Sequence, residues 1–171
     1  MSKLRYMEPD TNQTLLEAID ELRVAEGADN DAAEHIAAEL RDDIELHDVI
    51  HTVFACPTNL KGEILAHLWS VFGTTLTMKQ MHRVTSHQDH KAVLSKIGHA
   101  RLLKTWIGNI SNMARVVHRA RKMNRKWPAH DFDQYLNASL KDIRSEYGIK
   151  VIEIRSSKSS GGAALRSIRS Q

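Results

Sequence analysis

The sequence predicts an all-α protein, a multi-helix bundle with a metal site between two antiparallel helices. Apolar residues recur at intervals of three and four along most of the chain, which is the spacing of a buried helix face. Two histidines one helical turn apart are followed, beyond a proline, by a glutamate. Residues that end helices divide the chain into segments of ordinary helix length: Gly27, Pro57, Gly73, Pro128 and Gly148.

Three helices are predicted in the first half of the chain. The residues that can cap their starts are, in chain order, Asp10 or Thr11, then Asn30 or Asp31, and then Asn59. The apolar stripe of the first helix is Leu15, Leu16, Ile19 and Leu22. Only residues 55–58 separate the second helix from the third, and so short a connection favours an antiparallel pair.

The second half continues with basic helices. After a polar stretch over residues 74–90, apolar positions at helical spacing continue to the break at Pro128. A last helix is predicted from about Phe132 to Tyr147, with Gly148 as its cap. The alternation over Val151 to Ile154 indicates a short strand, although no partner strand is visible.

Length and composition limit the organisation of the chain. At 171 residues it fits one helical domain over residues 1–154, followed by a flexible basic tail over residues 155–171 that is rich in Ser and Gly. The single cysteine, Cys56, excludes a disulfide framework and a thiolate metal cluster, and we expect it to be a small buried residue. No run approaches 18 apolar residues, and the start of the chain does not read as a targeting peptide.

The candidate metal ligands lie between residues 47 and 63. His47 and His51 project from one helix face one turn apart, a spacing that lets two imidazoles bind one metal ion. Asp48 falls at the edge of the same face, and Glu63 is at the same height if the next helix is antiparallel. The alternative is a pair of histidines on the helix surface, one of which merely hydrogen-bonds to Asp48. His67, one turn after Glu63, either orients that carboxylate or faces solvent.

The motif resembles the signature of the coenzyme Q (ubiquinone) biosynthesis protein four family. It comprises His47-Asp48-x-x-His51, eleven intervening residues and Glu63, with Pro57-Thr58-Asn59 and Gly62-Glu63-Ile64 in the connecting turn. The family's closing helix is also matched, by Leu140, Ile143-Arg144, Glu146 and Gly148-Ile149. The similarity covers about residues 40–150 and looks like that of a short member of bacterial type.

The resemblance implies a divalent cation, usually zinc, held by residues matching His47, Asp48, His51 and Glu63, which would act in catalysis through the metal. It implies removal of the C1 carboxylate from a polyprenylated hydroxybenzoate ring, with oxidative replacement, or a role as a metal-bearing scaffold that binds prenyl lipid without turnover. The expected partners are a prenylated aromatic lipid and other quinone-biosynthesis enzymes. Zinc is redox-silent, so an oxidative step needs another metal, dioxygen or a partner.

Charge is distributed unevenly and suggests a further partner. Residues 1–50 contain fourteen acids and four bases, whereas residues 90–130 contain ten bases and no acid. The predicted contacts to an anionic membrane or to phosphate are Arg115, Arg119, Lys122 and Arg125, with Trp127 at the membrane interface. The stripe could instead neutralise the acidic half, or bind nucleic acid as a basic helical protein, for which no recognition motif is present.

The expected location is the cytoplasm, or the inner face of the cell membrane as a peripheral protein.

Overall fold

The computed structural model describes residues 4–27, 38–77 and 99–153, and these residues are helical with no strand among them. The predicted all-α class is therefore confirmed for this part of the chain. The α-helices are α1 (Leu15–Glu26), α2 (Ala38–Val53), α3 (Leu60–Gly73), α4 (His99–Ala120) and α5 (Leu140–Tyr147). Two 3-10 helices, Arg5–Met7 and Ala129–Tyr135, precede α1 and α5.

Helix α1 begins at a different cap from the one the sequence predicts. Thr14, rather than Asp10 or Thr11, caps it, and Glu17 completes a capping box. The chain stays extended up to Thr14 because the N–H groups of the next two residues bond, at 3.0 Å each, to the carbonyl oxygens of Ala138 and Leu136. The predicted end is confirmed, since Gly27 adopts the left-handed conformation with φ 71°.

The connection between α2 and α3 is short and held by hydrogen bonds at both ends. Ala55 is left-handed with φ 53°, and the N–H of Cys56 bonds back to the carbonyl of His51 at 2.8 Å. This is a Schellman ending, here with alanine in the place usually taken by glycine. The predicted cap of α3 is confirmed, because the Asn59 side chain accepts from the N–H groups of Lys61 and Gly62. The predicted start of α2, at Asn30 or Asp31, lies outside the described residues.

Gly62 allows the connection to pack against α3. A Cβ at position 62 would overlap the carbonyl oxygen of Pro57 and lie 2.6 Å from its carbon. The backbone of the connection therefore lies where any larger residue would place its side chain. Since Glu63 is the next residue, this close approach also fixes the backbone position from which the Glu63 side chain projects.

Replacing Gly62 tests that close approach. We expect Gly62→Ala to lower the free energy of unfolding by about 2 kcal/mol or more, because the connection must move to admit the methyl group. The matched control is Gly108→Ala in α4, where nothing lies within 4 Å of the added Cβ. That change should stabilise the protein by up to about 1 kcal/mol through helix propensity. Urea unfolding measures both, and equal effects would contradict the role given to Gly62.

The basic helix ends earlier than predicted. Helix α4 stops at Ala120, and turns follow before Pro128. The prediction that Trp127 lies at a membrane interface is wrong, because its side chain is wholly buried. The backbone N–H of Trp127 donates to the carbonyl of Gly73 at 2.9 Å, and the backbone carbonyl of Trp127 accepts from the N–H of Thr75 at 3.0 Å. These bonds tie the end of the basic segment to the end of α3.

The predicted last helix is divided in two. A 3-10 helix over Ala129–Tyr135 is followed by α5, whose cap is Ser139, bonded to the N–H of Asp142 at 3.1 Å. The prediction of one helix is wrong because the chain between the two pieces bonds to the start of α1 instead. Gly148 ends α5 as predicted, with φ 68°.

The described segment after α5 has no regular secondary structure. Val151 and Ile152 are buried, yet residues 151–153 form no strand, so the predicted strand is absent as far as the described residues reach. The predicted tail, residues 155–171, lies outside the described residues. In the described parts, every helix is too short or too polar to cross a bilayer.

Candidate metal centre

Three of the four predicted ligands lie together where α2 meets α3. His47 and His51 project one turn apart from α2, and Glu63 projects from the first turn of α3. One ligand atom from each of the three lies within 4.8 Å of the others. The imidazole rings are 4.5 Å apart, centroid to centroid. The spacing argument therefore placed these three side chains correctly.

The ring of His51 is oriented by a backbone carbonyl. Its side chain is wholly buried, and Nδ1 lies 3.1 Å from the carbonyl oxygen of Cys56, which can only accept. Nδ1 therefore carries the proton, and in the neutral ring Nε2 presents a lone pair. A carbonyl bonded to the distal nitrogen is the usual arrangement behind a metal-ligating histidine.

The lone pair of His51 has no hydrogen-bond partner. Nε2 is buried and unsatisfied, and it lies 3.4 Å from Oε1 of Glu63. An imidazole lone pair and a carboxylate oxygen repel one another, so a positive centre beside both atoms would stabilise the arrangement. A divalent cation meets that need, and separations of 3.2–3.4 Å between ligand atoms suit metal–ligand distances of about 2.0–2.2 Å.

His47 shares the carboxylate of Glu63 but is more accessible. Its Nε2 lies 3.2 Å from Oε2 of Glu63, and its side chain is 26 % exposed. Burial lowers the pKa of His47, but the carboxylates of Asp48 and Glu63 outweigh burial and raise it to about 9. Burial raises the pKa of Glu63, whereas its contacts with the two histidines carry it well below the usual range. The cluster thus contains a firmly ionised carboxylate.

Asp48 is not part of this group of three. Its Oδ2 accepts from Nε of Arg23, on α1, at 2.9 Å, and its Oδ1 lies 3.8 Å from Nδ1 of His47. The carboxylate is nearly fully buried between the two. Asp48 therefore links α1 to Nδ1 of His47, the ring nitrogen that is not the one next to Glu63. Its role as a metal ligand stays a prediction.

The other predicted site residues have different surroundings. His67 is exposed, and no hydrogen bond joins it to Glu63 among the contacts of the described residues. Cys56 is buried, and burial raises the pKa of its thiol, so it is no nucleophile at neutral pH.

Tyr6 is a site residue that sequence reasoning missed. Its hydroxyl is buried and donates to the carbonyl oxygen of Cys56 at 3.1 Å, the same oxygen that orients His51. Burial raises the pKa of Tyr6 far above its usual value, so the hydroxyl keeps its proton and acts as a donor. No local pattern marks Tyr6, since its partner is 50 residues away in the chain.

The side chain of Arg144 hydrogen-bonds to the C-terminal end of α2. Its buried guanidinium, on α5, donates to carbonyl oxygens of both the α2 C-terminus and the segment before α1, and no carboxylate pairs with it among its described hydrogen bonds. The five acceptors are the carbonyls of Tyr6, Glu8, Pro9, Thr52 and Val53. Burial lowers its pKa to about 10, so it stays charged at neutral pH. A cation there complements the negative end of the helix dipole.

The predicted membrane contacts do not form one free surface. Arg115 and Lys122 are exposed. In contrast, Arg119 donates to the backbone carbonyls of Lys150 and Val151, and Arg125 pairs with Glu146 and stacks on the ring of Tyr147. Two of the four cations are therefore bound within the protein.

Fold and site together define a helical protein with a cluster of two histidines and one glutamate that could hold a metal ion. Residues 28–153, well over half of the chain, match the family model described as Coenzyme Q (ubiquinone) biosynthesis protein Coq4. The chain belongs to this family, as its motifs suggested, and the family has a role in ubiquinone biosynthesis. Comparison with curated proteins and with solved structures gave no match.

Proposed function

We propose that this protein binds a divalent cation, zinc, through His47, His51 and Glu63 and removes the C1 carboxylate of a polyprenylated hydroxybenzoate. The observation that carries the proposal is the buried, unpartnered Nε2 of His51 facing the carboxylate of Glu63. Two neutral imidazoles and a carboxylate are a usual donor set of catalytic zinc. The reaction is the one that the family resemblance implies.

The cluster is open on one side. His51 is fully buried, whereas the side chains of His47 and Glu63 are 26 % and 28 % exposed. A substrate carboxylate or phenolate would therefore approach from the side of His47. When bound, the cation supplies Lewis-acid stabilisation of the negative charge that develops as carbon dioxide leaves. The chain's own contribution is to hold Glu63 ionised and the His51 ring fixed by the Cys56 carbonyl.

Oxidative replacement of the carboxylate needs more than zinc. In decarboxylation alone, the ring–carboxylate bond breaks and its electron pair takes up a proton at the ring carbon. Inserting oxygen at that ring carbon requires an oxidant. Dioxygen used with a redox metal would supply it, as would a partner enzyme that carries out the oxidation. Two histidines and one carboxylate also bind ferrous iron in oxygenases, so metal analysis should measure both elements. Other quinone-biosynthesis enzymes are the partners that we propose for this step.

Lipid extraction from cells tests the proposed reaction. In cells that lack the protein, we expect a carboxylated quinone precursor to accumulate, and expression of the unaltered chain should restore the quinone. Glu63→Gln should fail to restore it because the neutral amide cannot supply an anionic ligand. Lys61→Gln, at an exposed position of the same helix, is the matched control and should restore it fully. Full rescue by Glu63→Gln would indicate a scaffold that needs no metal.

A further inference from the structure

An arginine–aspartate pair joins α1 to the helix that carries the two histidines. Nε of Arg23, on α1, donates to Oδ2 of Asp48, on α2, at 2.9 Å. The side chain of Asp48 is only 8 % exposed, and that of Arg23 is 36 % exposed. Asp48 directly follows His47 in the sequence, so a contact that fixes the Asp48 carboxylate acts next to the candidate metal centre.

Helix α1 holds Arg23 in place for this contact. Ile19 and Leu22, four residues and one residue before Arg23, are buried in the core, so Arg23 lies at the edge of the face that α1 buries. The carbonyl of Arg23 accepts from the N–H of Gly27, the left-handed residue that ends the helix. The arginine side chain therefore reaches α2 from a backbone that packing and the helix cap both fix.

The bond to Arg23 determines which oxygen of Asp48 lies beside His47. Oδ2 accepts from the guanidinium, and Oδ1 lies 3.8 Å from Nδ1 of His47. The other ring nitrogen of His47, Nε2, lies 3.2 Å from Oε2 of Glu63. A carboxylate beside the distal nitrogen fixes the ring orientation of a metal-ligating histidine. Arg23 and Asp48 are thus arranged in series behind the ring of His47.

We infer that Arg23 is a positioning residue of the candidate metal centre, which holds the Asp48 carboxylate in place so that Nε2 of His47 faces the ion. The inference rests on the proposed function, since the ion is the one proposed there. Without the guanidinium, a nearly buried carboxylate loses its counter-charge and has to move, because a buried charge is costly when it is not paired. The ring of His47 then loses its fixed support.

Zinc affinity measures this role. We expect Arg23→Met to weaken zinc binding about tenfold or more in competition with a chromophoric chelator. Arg23→Lys should recover part of the loss, because an ammonium still pairs with Asp48 but lacks the planar donors of a guanidinium. The control is Arg121→Met, which removes the same charge at an exposed position beyond α4 and should leave zinc binding unchanged. The inference is overturned if Arg23→Met and the control bind zinc alike.

A double-mutant cycle shows whether Arg23 acts through Asp48. In protein that already carries Asp48→Asn, replacing Arg23 by methionine should change zinc affinity less than about twofold, because the carboxylate that Arg23 holds is absent. Arg23→Lys keeps a charge beside Asp48, so it supplies the same comparison if Arg23→Met does not fold alone. An effect of either change that persists in full beside Asp48→Asn means that Arg23 acts by another route, and the inference is then wrong.

The ring of His47 can be followed without metal, which separates this inference from the proposed function. In metal-free protein, NMR couplings of the His47 side chain, assigned by their loss in His47→Ala, should indicate one rotamer. They should indicate averaging over several rotamers in Arg23→Met but not in Arg121→Met. If the unaltered protein binds no zinc, the proposed function fails, and these couplings alone decide whether Arg23 positions the ring. A single unchanged rotamer in Arg23→Met contradicts the inference even where zinc binds.

Discussion

Protein in which His47 and His51 are both replaced by alanine should contain no stoichiometric metal. We expect the unaltered chain, purified without a metal-affinity step, to contain about one divalent ion per molecule by elemental analysis. The double variant loses both imidazoles, and one carboxylate does not hold zinc tightly. Stoichiometric metal that survives in the double variant would refute the proposed centre.

Two single changes complete that measurement. His67→Ala removes an exposed histidine of α3 and should leave the metal content unchanged. For Asp48→Asn we expect metal to be retained with an affinity lowered about 10–100-fold. This is the effect expected of a carboxylate that orients a ligating histidine, here His47, without binding the metal itself. A loss as complete as that of the double variant would make Asp48 a ligand. Circular dichroism should show that all these variants remain helical.

The largest effect on stability is expected at Arg144. We predict that Arg144→Met lowers the free energy of unfolding by about 3 kcal/mol or more, since five carbonyls lose charge-assisted hydrogen bonds, three of which are buried. For a chain of this size, that corresponds to a Tm lower by roughly 6–12 °C. Thermal unfolding followed by circular dichroism measures the change.

Arg125→Met is the control for removing an arginine from the same region. Arg125 pairs with Glu146 at an exposed position, and pairs of that kind contribute about 0–1 kcal/mol. Arg144→Lys should recover only part of the loss, because an ammonium cannot match the planar set of donors that a guanidinium offers. Equal destabilisation by the changes at 125 and 144 would show that burial of the guanidinium contributes little.

Local chemistry was readable from the sequence alone. The left-handed glycines Gly27 and Gly148 and the cap Asn59 make their capping hydrogen bonds with residues close to them in the chain. Residue type and position in the sequence were therefore enough to predict them. The histidine pair and Glu63 were predicted for a related reason. Helical spacing and a short connection determine where they meet, without help from the rest of the chain.

Features that depend on distant contacts could not be predicted. The cap of α1 moved to Thr14 because its first N–H groups bond to a segment 120 or more residues away. Trp127 reads as an exposed residue of a basic helix, but its partners belong to α3 and the turn after it. The contacts of Tyr6 and Arg144 likewise join segments whose pairing only the tertiary fold decides.

Because the Cys56 carbonyl accepts from both Tyr6 and His51, we expect the proposed metal site and the docking of the N-terminal segment to be thermodynamically linked. The family match begins at residue 28, so Tyr6 lies outside the sequence that carries the ligands. By linkage, an ion that fixes the His51 ring also favours the state in which Tyr6 is docked. If the cluster binds an ion as proposed, the cooperative unit should be larger than the matched segment, and amide exchange over residues 4–27 should slow when the ion binds.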